Sequence, residues 1–232
     1  MNLSLKRKPP ANNVRRVAAI DNNSRYAITN KNGETVQCES HAERRQTLRF
    51  DRDPGVKNYR SQPLRISYTD SDEKSHIYVP DFQVWRWDGS VEIHEVTLAE
   101  RQLLPNIQRR EEAAKKFCEE KGWRYVVHKE DDLPNDSEAS NLLFLYAFRP
   151  TAYACPEVAL AATEKLGNGK RVLLPILIKD LSQELSLPIG VVSSGLYHLM
   201  WHGKLCVDLR SLIFVDGAPL SGTLVWLPVK ED

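Results

Sequence analysis

The sequence predicts an α/β or α+β domain followed by a smaller winged-helix-like domain. Two observations predict it. Between residues 41 and 128 the hydrophobic pattern runs helix, three strands, helix, strand. After residue 149 the charge thins, and two apolar-striped helices precede a short β-ribbon.

The elements follow in order. Ser40 can cap a helix starting at His41, with Glu43 at its third position in the capping-box relation, and that helix ends before Asp53-Pro54-Gly55. Leu64 to Tyr68 alternates as a strand, and His76 to Arg86 reads as a second. Asp88-Gly89 is a hairpin turn leading into a third strand, Val91 to Leu98. Pro105 to Glu120 is helical, stopped by Gly122, and Trp123 to His128 is a short strand. Asp131 to Ser140 is polar, Asn141 to Phe148 reads as an apolar helix or strand, and composition shifts near Arg149-Pro150. Three segments result: a basic arm over 1–34, the α/β domain over 35–148, and the C-terminal domain over 149–232. In the last, Leu174, Leu177, Ile178, Leu181 and Leu185 stripe one helix. A second, from Pro188, carries Ile189, Val192, Leu196 and Leu199 inward to a stop at Gly203. Lys204–Leu209 and Ser211–Val215 read as the ribbon, with a plain helical bundle as the alternative.

The net charge of +1 gives no global signal for nucleic acid. Basic residues do concentrate at Lys6, Arg7, Lys8, Arg15 and Arg16, with no acid from Met1 to Ala19, a run that suits phosphates or a solvated tail equally. Four scattered cysteines without a CxxC fit reduced thiols in a cytoplasmic protein, and neither a signal peptide nor a membrane span is read. His198, His202 and Cys206 form an incomplete set for structural zinc and read as a histidine pair on a helix face.

The chemistry concentrates in the hairpin YVPDFQVWRWDGSVEIHEVT, Tyr78 to Thr97. A two-residue Asp88-Gly89 turn would set Asp81 and Glu95 on opposite sides. A three-residue loop, Trp87-Asp88-Gly89 with a left-handed Gly89, pairs Trp85 with Val91, Gln83 with Ile93 and Asp81 with Glu95. The second register matches apolar partners and is preferred. It sets two carboxylates against each other on a half-buried face, where they share a proton or a divalent cation. Glu43 offers a third acid, and three hard oxygen ligands point to Mg²⁺, with Mn²⁺ able to substitute. Phosphodiester hydrolysis is the usual use of such a site. Backbone amides satisfying Asp81, and Arg86 or Arg101 pairing with Glu95, are the bland alternative. His94 points to the other face.

YVPDFQVW followed by EIHEVT resembles the PD-(D/E)xK motif of restriction-type nucleases. With CESHAERRQTLRFDRDPGVKNYRSQP and KKFCEEKGWRYVV, the stretch from about 35 to 130 resembles TnsA, the endonuclease subunit of heteromeric transposases. The resemblance implies a restriction-endonuclease-like core, a mixed sheet flanked by helices, over 35–148. It implies Glu43, Asp81 and Glu95 as metal ligands, and a bacterial, cytoplasmic enzyme that cuts the 5′, non-transferred strands at transposon ends. It implies transposon-end DNA, a TnsB-like DDE transposase and a TnsC-like AAA+ regulator as partners. One position departs from the motif. Thr97 stands where a lysine belongs, so the fourth catalytic position has a hydroxyl and no charge. Arg101, Arg109, Arg110 and Lys115 are the candidates to replace that lysine. A weakened assembly subunit and a stand-alone restriction or repair nuclease are the alternative functions. Arg15, Arg16, Arg44, Arg45, Gln62, Arg101 and Arg109 are candidate DNA contacts, and Ser193, Ser194 and Tyr197 are candidates on the second C-terminal helix.

Overall fold

The computed structural model describes residues 26–69, 73–97, 104–167 and 169–229. The chain forms two compact units, one ending at Leu133 and the other beginning at Pro134. Among the described residues no helix is long and apolar enough to cross a membrane.

The first unit opens with an antiparallel hairpin, β1 (Tyr26–Thr29) and β2 (Thr35–Cys38). Its turn is held by Asn30, whose side-chain oxygen accepts from the Asn32 and Glu34 N–H groups at 3.0 and 2.9 Å. This hairpin crosses residue 34, where the basic arm of the sequence reading ends, and Asn32-Gly33 is its turn. Arg15, Arg16 and the rest of the basic run lie outside the described residues. Helix α1 (His41–Arg52) follows, capped by Ser40.

Strands β3 (Val56–Ser61), β6 (Phe82–Arg86), β7 (Val91–Thr97) and β8 (Arg124–Lys129) form the central sheet in the order β3-β6-β7-β8. Its pairs are antiparallel except β7–β8, which is parallel and bridged by α2 (Pro105–Lys121). Strands β4 (Ile66–Thr69) and β5 (Ser75–Tyr78) form a separate ribbon. The expected single strand from His76 to Arg86 is thus two strands. Pro80 cannot donate to a ladder, and the chain leaves the ribbon there and enters the sheet at Phe82.

Alternation decides what each face covers. Phe82, Val84, Glu92 and His94 share one face, where Phe50 of α1 packs edge-on to Phe82 and His94 at centroid distances of 5.4 and 5.0 Å. Gln83, Ile93, Glu95 and Tyr125 share the other. There Ala114 of α2 joins Ile66, Tyr78, Tyr68, Phe117 and Tyr125 in an apolar cluster.

The second unit contains α3 (Asp136–Tyr146), α4 (Pro156–Leu166), α5 (Leu174–Leu185) and α6 (Ile189–Trp201). Helix α3 belongs here and not before residue 149, because Asn141 donates to the Leu209 and Ser211 carbonyls at 2.9 and 2.7 Å and accepts the Ile213 N–H at 3.1 Å. The stripe of α5 is buried at Leu174, Leu177, Ile178 and Leu181. In α6 Val192 and Leu196 point inward, but Ile189 is 60% exposed. The expected ribbon is divided between two sheets. Cys206–Val207 (β10) pairs with Leu224–Trp226 (β13), which also pairs with Val172–Leu173 (β9), while Phe214–Val215 (β11) pairs with Ala218–Pro219 (β12). His198 and His202 are committed to the Phe148 and Arg149 carbonyls at 2.8 and 3.0 Å, which leaves no zinc set with Cys206.

Candidate active site

The β6–β7 hairpin adopts the three-residue loop. Gly89 has φ +87°, the Arg86 N–H donates to Ser90 O at 3.0 Å, and the Gly89 N–H donates to Arg86 O at 3.2 Å. Pairing then runs Trp85 with Val91, Gln83 with Ile93 and Phe82 with His94. The next step of the same register sets Asp81 against Glu95.

Each acid is held by a different device. Asp81 sits where Pro80 ends the ribbon. Its Oδ2 accepts the Val96 N–H at 2.8 Å, and its carbonyl accepts the Gln62 N–H at 2.8 Å. Gln62 takes a left-handed φ of +45°, a strain uncommon outside glycine, and its buried Oε1 has no partner among the described residues. Glu43 is the third residue of α1. Its Oε1 accepts the Ser40 hydroxyl at 2.9 Å and its Oε2 the Glu39 N–H at 2.8 Å, while Ser40 Oγ accepts the Glu43 N–H at 3.1 Å. Glu95 is 4% exposed, with Oε1 paired to Arg110 Nη2 at 2.5 Å and Oε2 accepting the Tyr78 hydroxyl.

The charges feel one another. Burial, and then the Asp81 carboxylate, push the Glu43 carboxyl up to about 8. Burial also raises Glu95, partly offset by Arg110 and Tyr78. Burial with the nearby Glu43 and Asp81 charges pushes the Cys38 thiol up as well. Such accumulated negative charge is what a divalent cation neutralises. The donor set fits one in kind: Glu43, Asp81, Glu95 and the orphaned Gln62 carbonyl are all hard oxygens. Among the described residues, however, no three His, Cys, Asp or Glu side chains are gathered tightly enough to hold an ion together. Glu95 is held by Arg110 and Tyr78.

Thr97 is buried on β7, on the same strand face as Glu95. Arg44 lies over the Tyr26 ring at 5.1 Å, and Arg45 is half-buried. Arg109 is exposed and lines a cleft of about 630 Å³ with Tyr68 and Lys116, and Arg101 is outside the described residues. In the second unit Ser194 donates to the Gly190 carbonyl, and Tyr197 is buried among Phe144, Phe148 and Phe214. On the other sheet face lies a network the sequence reading passed over. Glu92, 1% exposed, meets His94 at 2.8 Å, Arg86 at 3.0 Å and Arg124, and His94 Nδ1 meets His128 Nε2 at 2.7 Å. Its signal was an acid and a histidine on the apolar alternate of a strand.

A mixed sheet flanked by helices fits a restriction-endonuclease-like core. Residues 53–130 match the family described as TnsA-like endonuclease N terminal, and over that stretch the resemblance read from the motifs is shown. The matched domain is an endonuclease domain of the transposase type. Glu43 precedes the matched stretch, while Asp81, Glu95 and Thr97 fall within it. No curated protein matches the chain.

Proposed function

We propose that the chain is the metal-dependent endonuclease subunit of a cut-and-paste transposase, cleaving the 5′, non-transferred strands at transposon ends. The observation that carries this reading is the Asp81 carboxylate fastened to the Val96 N–H, the residue after Glu95, within a segment that matches TnsA-like endonucleases. Glu43, Asp81 and Glu95 would hold Mg²⁺, or Mn²⁺ in its place. A bound divalent ion supplies an activated water and neutralises charge developing on the phosphate. The chain's own part is preorganisation. Val96 N–H fixes Asp81, Ser40 and the Glu39 N–H fix Glu43, and Tyr78 with Arg110 holds Glu95, which would turn toward the other two acids to share the ion. Thr97 contributes a hydroxyl close to Glu95.

The second unit is assigned, on the same reading, to partner and DNA contact in a winged-helix-like arrangement. Helix α6 contains no Lys or Arg, and Ile189 and Val191 at its start are exposed, which favours a protein partner such as the AAA+ regulator. A catalytically weakened subunit is the second reading, favoured by Thr97 alone. The test is strand mapping. The chain, a TnsB-like transposase and end-labelled transposon DNA are incubated with Mg²⁺, and breaks are located on each strand. Breaks at the 5′ ends that require this chain support the proposal, and unchanged 5′ strands overturn it.

A further inference from the structure

The acid cluster needs a cation from the protein, and β7 does not provide one at Thr97. Of the basic residues on the segment after β7, Arg109 faces the cleft beside β4, Lys115 is exposed, and Arg101 is outside the described residues. Arg110 is different. It stands four and eight residues before Ala114 and Cys118, which are 0% and 1% exposed, so it continues the sheet-facing stripe of α2 to the helix's N-terminal end. From there it reaches Glu95. Its Nη2 is 2.5 Å from Glu95 Oε1, its guanidinium lies 4.7 Å over the ring of Tyr78, and its buried Nε–H has no partner among the described residues.

We propose that Arg110 is a positioning residue of the acidic site, supplying from α2 the positive charge that Thr97 omits from β7 and clamping Glu95 against the Tyr78 hydroxyl. This rests on the nuclease reading. A guanidinium suits the place: it is planar, stays charged, is weakly hydrated and stacks on an aromatic face, all of which a half-buried site between Tyr78 and Glu95 demands. Arg110 acts through Glu95, fixing the oxygen that faces it and offsetting the charge that Glu43 and Asp81 impose.

The test uses the full chain with its partner transposase, end DNA and Mg²⁺, together with Mn²⁺ affinity of the chain by calorimetry. Arg110→Ala should lower nicking and Mn²⁺ affinity by about 10- to 100-fold, the range for groups that orient ligands. Arg110→Lys should retain more of both. Thr97→Lys in the Arg110→Ala background should restore nicking to within about tenfold of wild type, because the charge returns from the strand. Equal nicking and Mn²⁺ affinity in wild type and Arg110→Ala would overturn the proposal. So would a folded double variant with no recovery. A wild-type complex that neither nicks nor binds Mn²⁺ sinks the nuclease reading itself, whereas active wild type with an indifferent Arg110 sinks only this inference.

Discussion

The Asp81 carboxylate accepts the backbone N–H of Val96 at 2.8 Å, fastening the acid at the head of β6 to the strand that carries Glu95. One carboxylate oxygen therefore does structural work. The two roles separate by substitution. Asp81→Asn keeps an acceptor for Val96 and should melt close to wild type, whereas Asp81→Ala strands that donor and should cost about 1 kcal/mol. Equal melting of the two variants would show that the Val96 bond contributes nothing.

Ser40 serves α1 and Glu43 together, accepting from one end of Glu43 and donating to the other. Ser40→Ala should lower stability by about 1 kcal/mol in urea titration, the usual loss of an N-cap. Nicking should fall further than that stability loss explains, because Glu43 loses one of its two anchors. A variant that loses stability yet nicks at the wild-type rate would contradict the positioning of Glu43 by its cap.

The buried histidines predict an acid limb in stability. Burial and Arg86 hold His94 down at about 3, and burial, His94 and Arg49 hold His128 down at about 4, against Asp132. Both are neutral in the fold, whereas the unfolded chain protonates them near 6.5. Their contribution is complete above pH 6.5 and shrinks as pH falls toward 4 and below, since the unfolded state there binds more protons. Urea midpoints measured from pH 8 to 4 should fall below pH 6.5. His128→Phe should flatten that fall, and an equally steep fall in the variant would assign it to other groups.

Glu92 is the shared partner of Arg86, Arg124 and His94. Glu92→Ala should destabilise by about 3 kcal/mol, the lower end for breaking a buried pair, because both arginines keep some access to water. A loss below about 1 kcal/mol, the level of an exposed pair, would show that the network is solvated.

Gly89 sets the register. Gly89→Ala imposes a side chain at φ +87°, at a cost of about 1–2 kcal/mol in thermal or urea unfolding. No measurable cost would mean that the loop relaxes to another turn.

Much of this site was legible because the physics was local. The apolar pairing of Trp85 with Val91 and Gln83 with Ile93 selected the loop that Gly89 permits, and the Ser40–Glu43 spacing placed an acid at a helix start. What escaped was non-local or ambiguous. The β1–β2 hairpin was hidden by a polar sequence, despite Asn32-Gly33. Strand β3, VKNYRS, breaks alternation at an irregularity between Val56 and Asn58, so that its buried Val56 and Tyr59 stand three apart, and Pro80 divided a strand that otherwise read as continuous. The meeting of His94 with His128 depends on the parallel pairing of β7 with β8, which nothing local specifies. Arg110 was one of four basic candidates. Only the rotation of α2 on the sheet, hinted at by Ala114 and Cys118, singles it out.

Whether these acids form a metal-dependent nuclease site is decided by the single-turnover nicking rate of transposon-end DNA in the assembled complex as Mg²⁺ is raised. Wild type should nick in a saturable, Mg²⁺-dependent way, and Asp81→Asn should be slower by more than about 100-fold, beyond the loss expected for a supporting residue. Equal rates in the two proteins, or nicking that persists in chelator, would contradict the account.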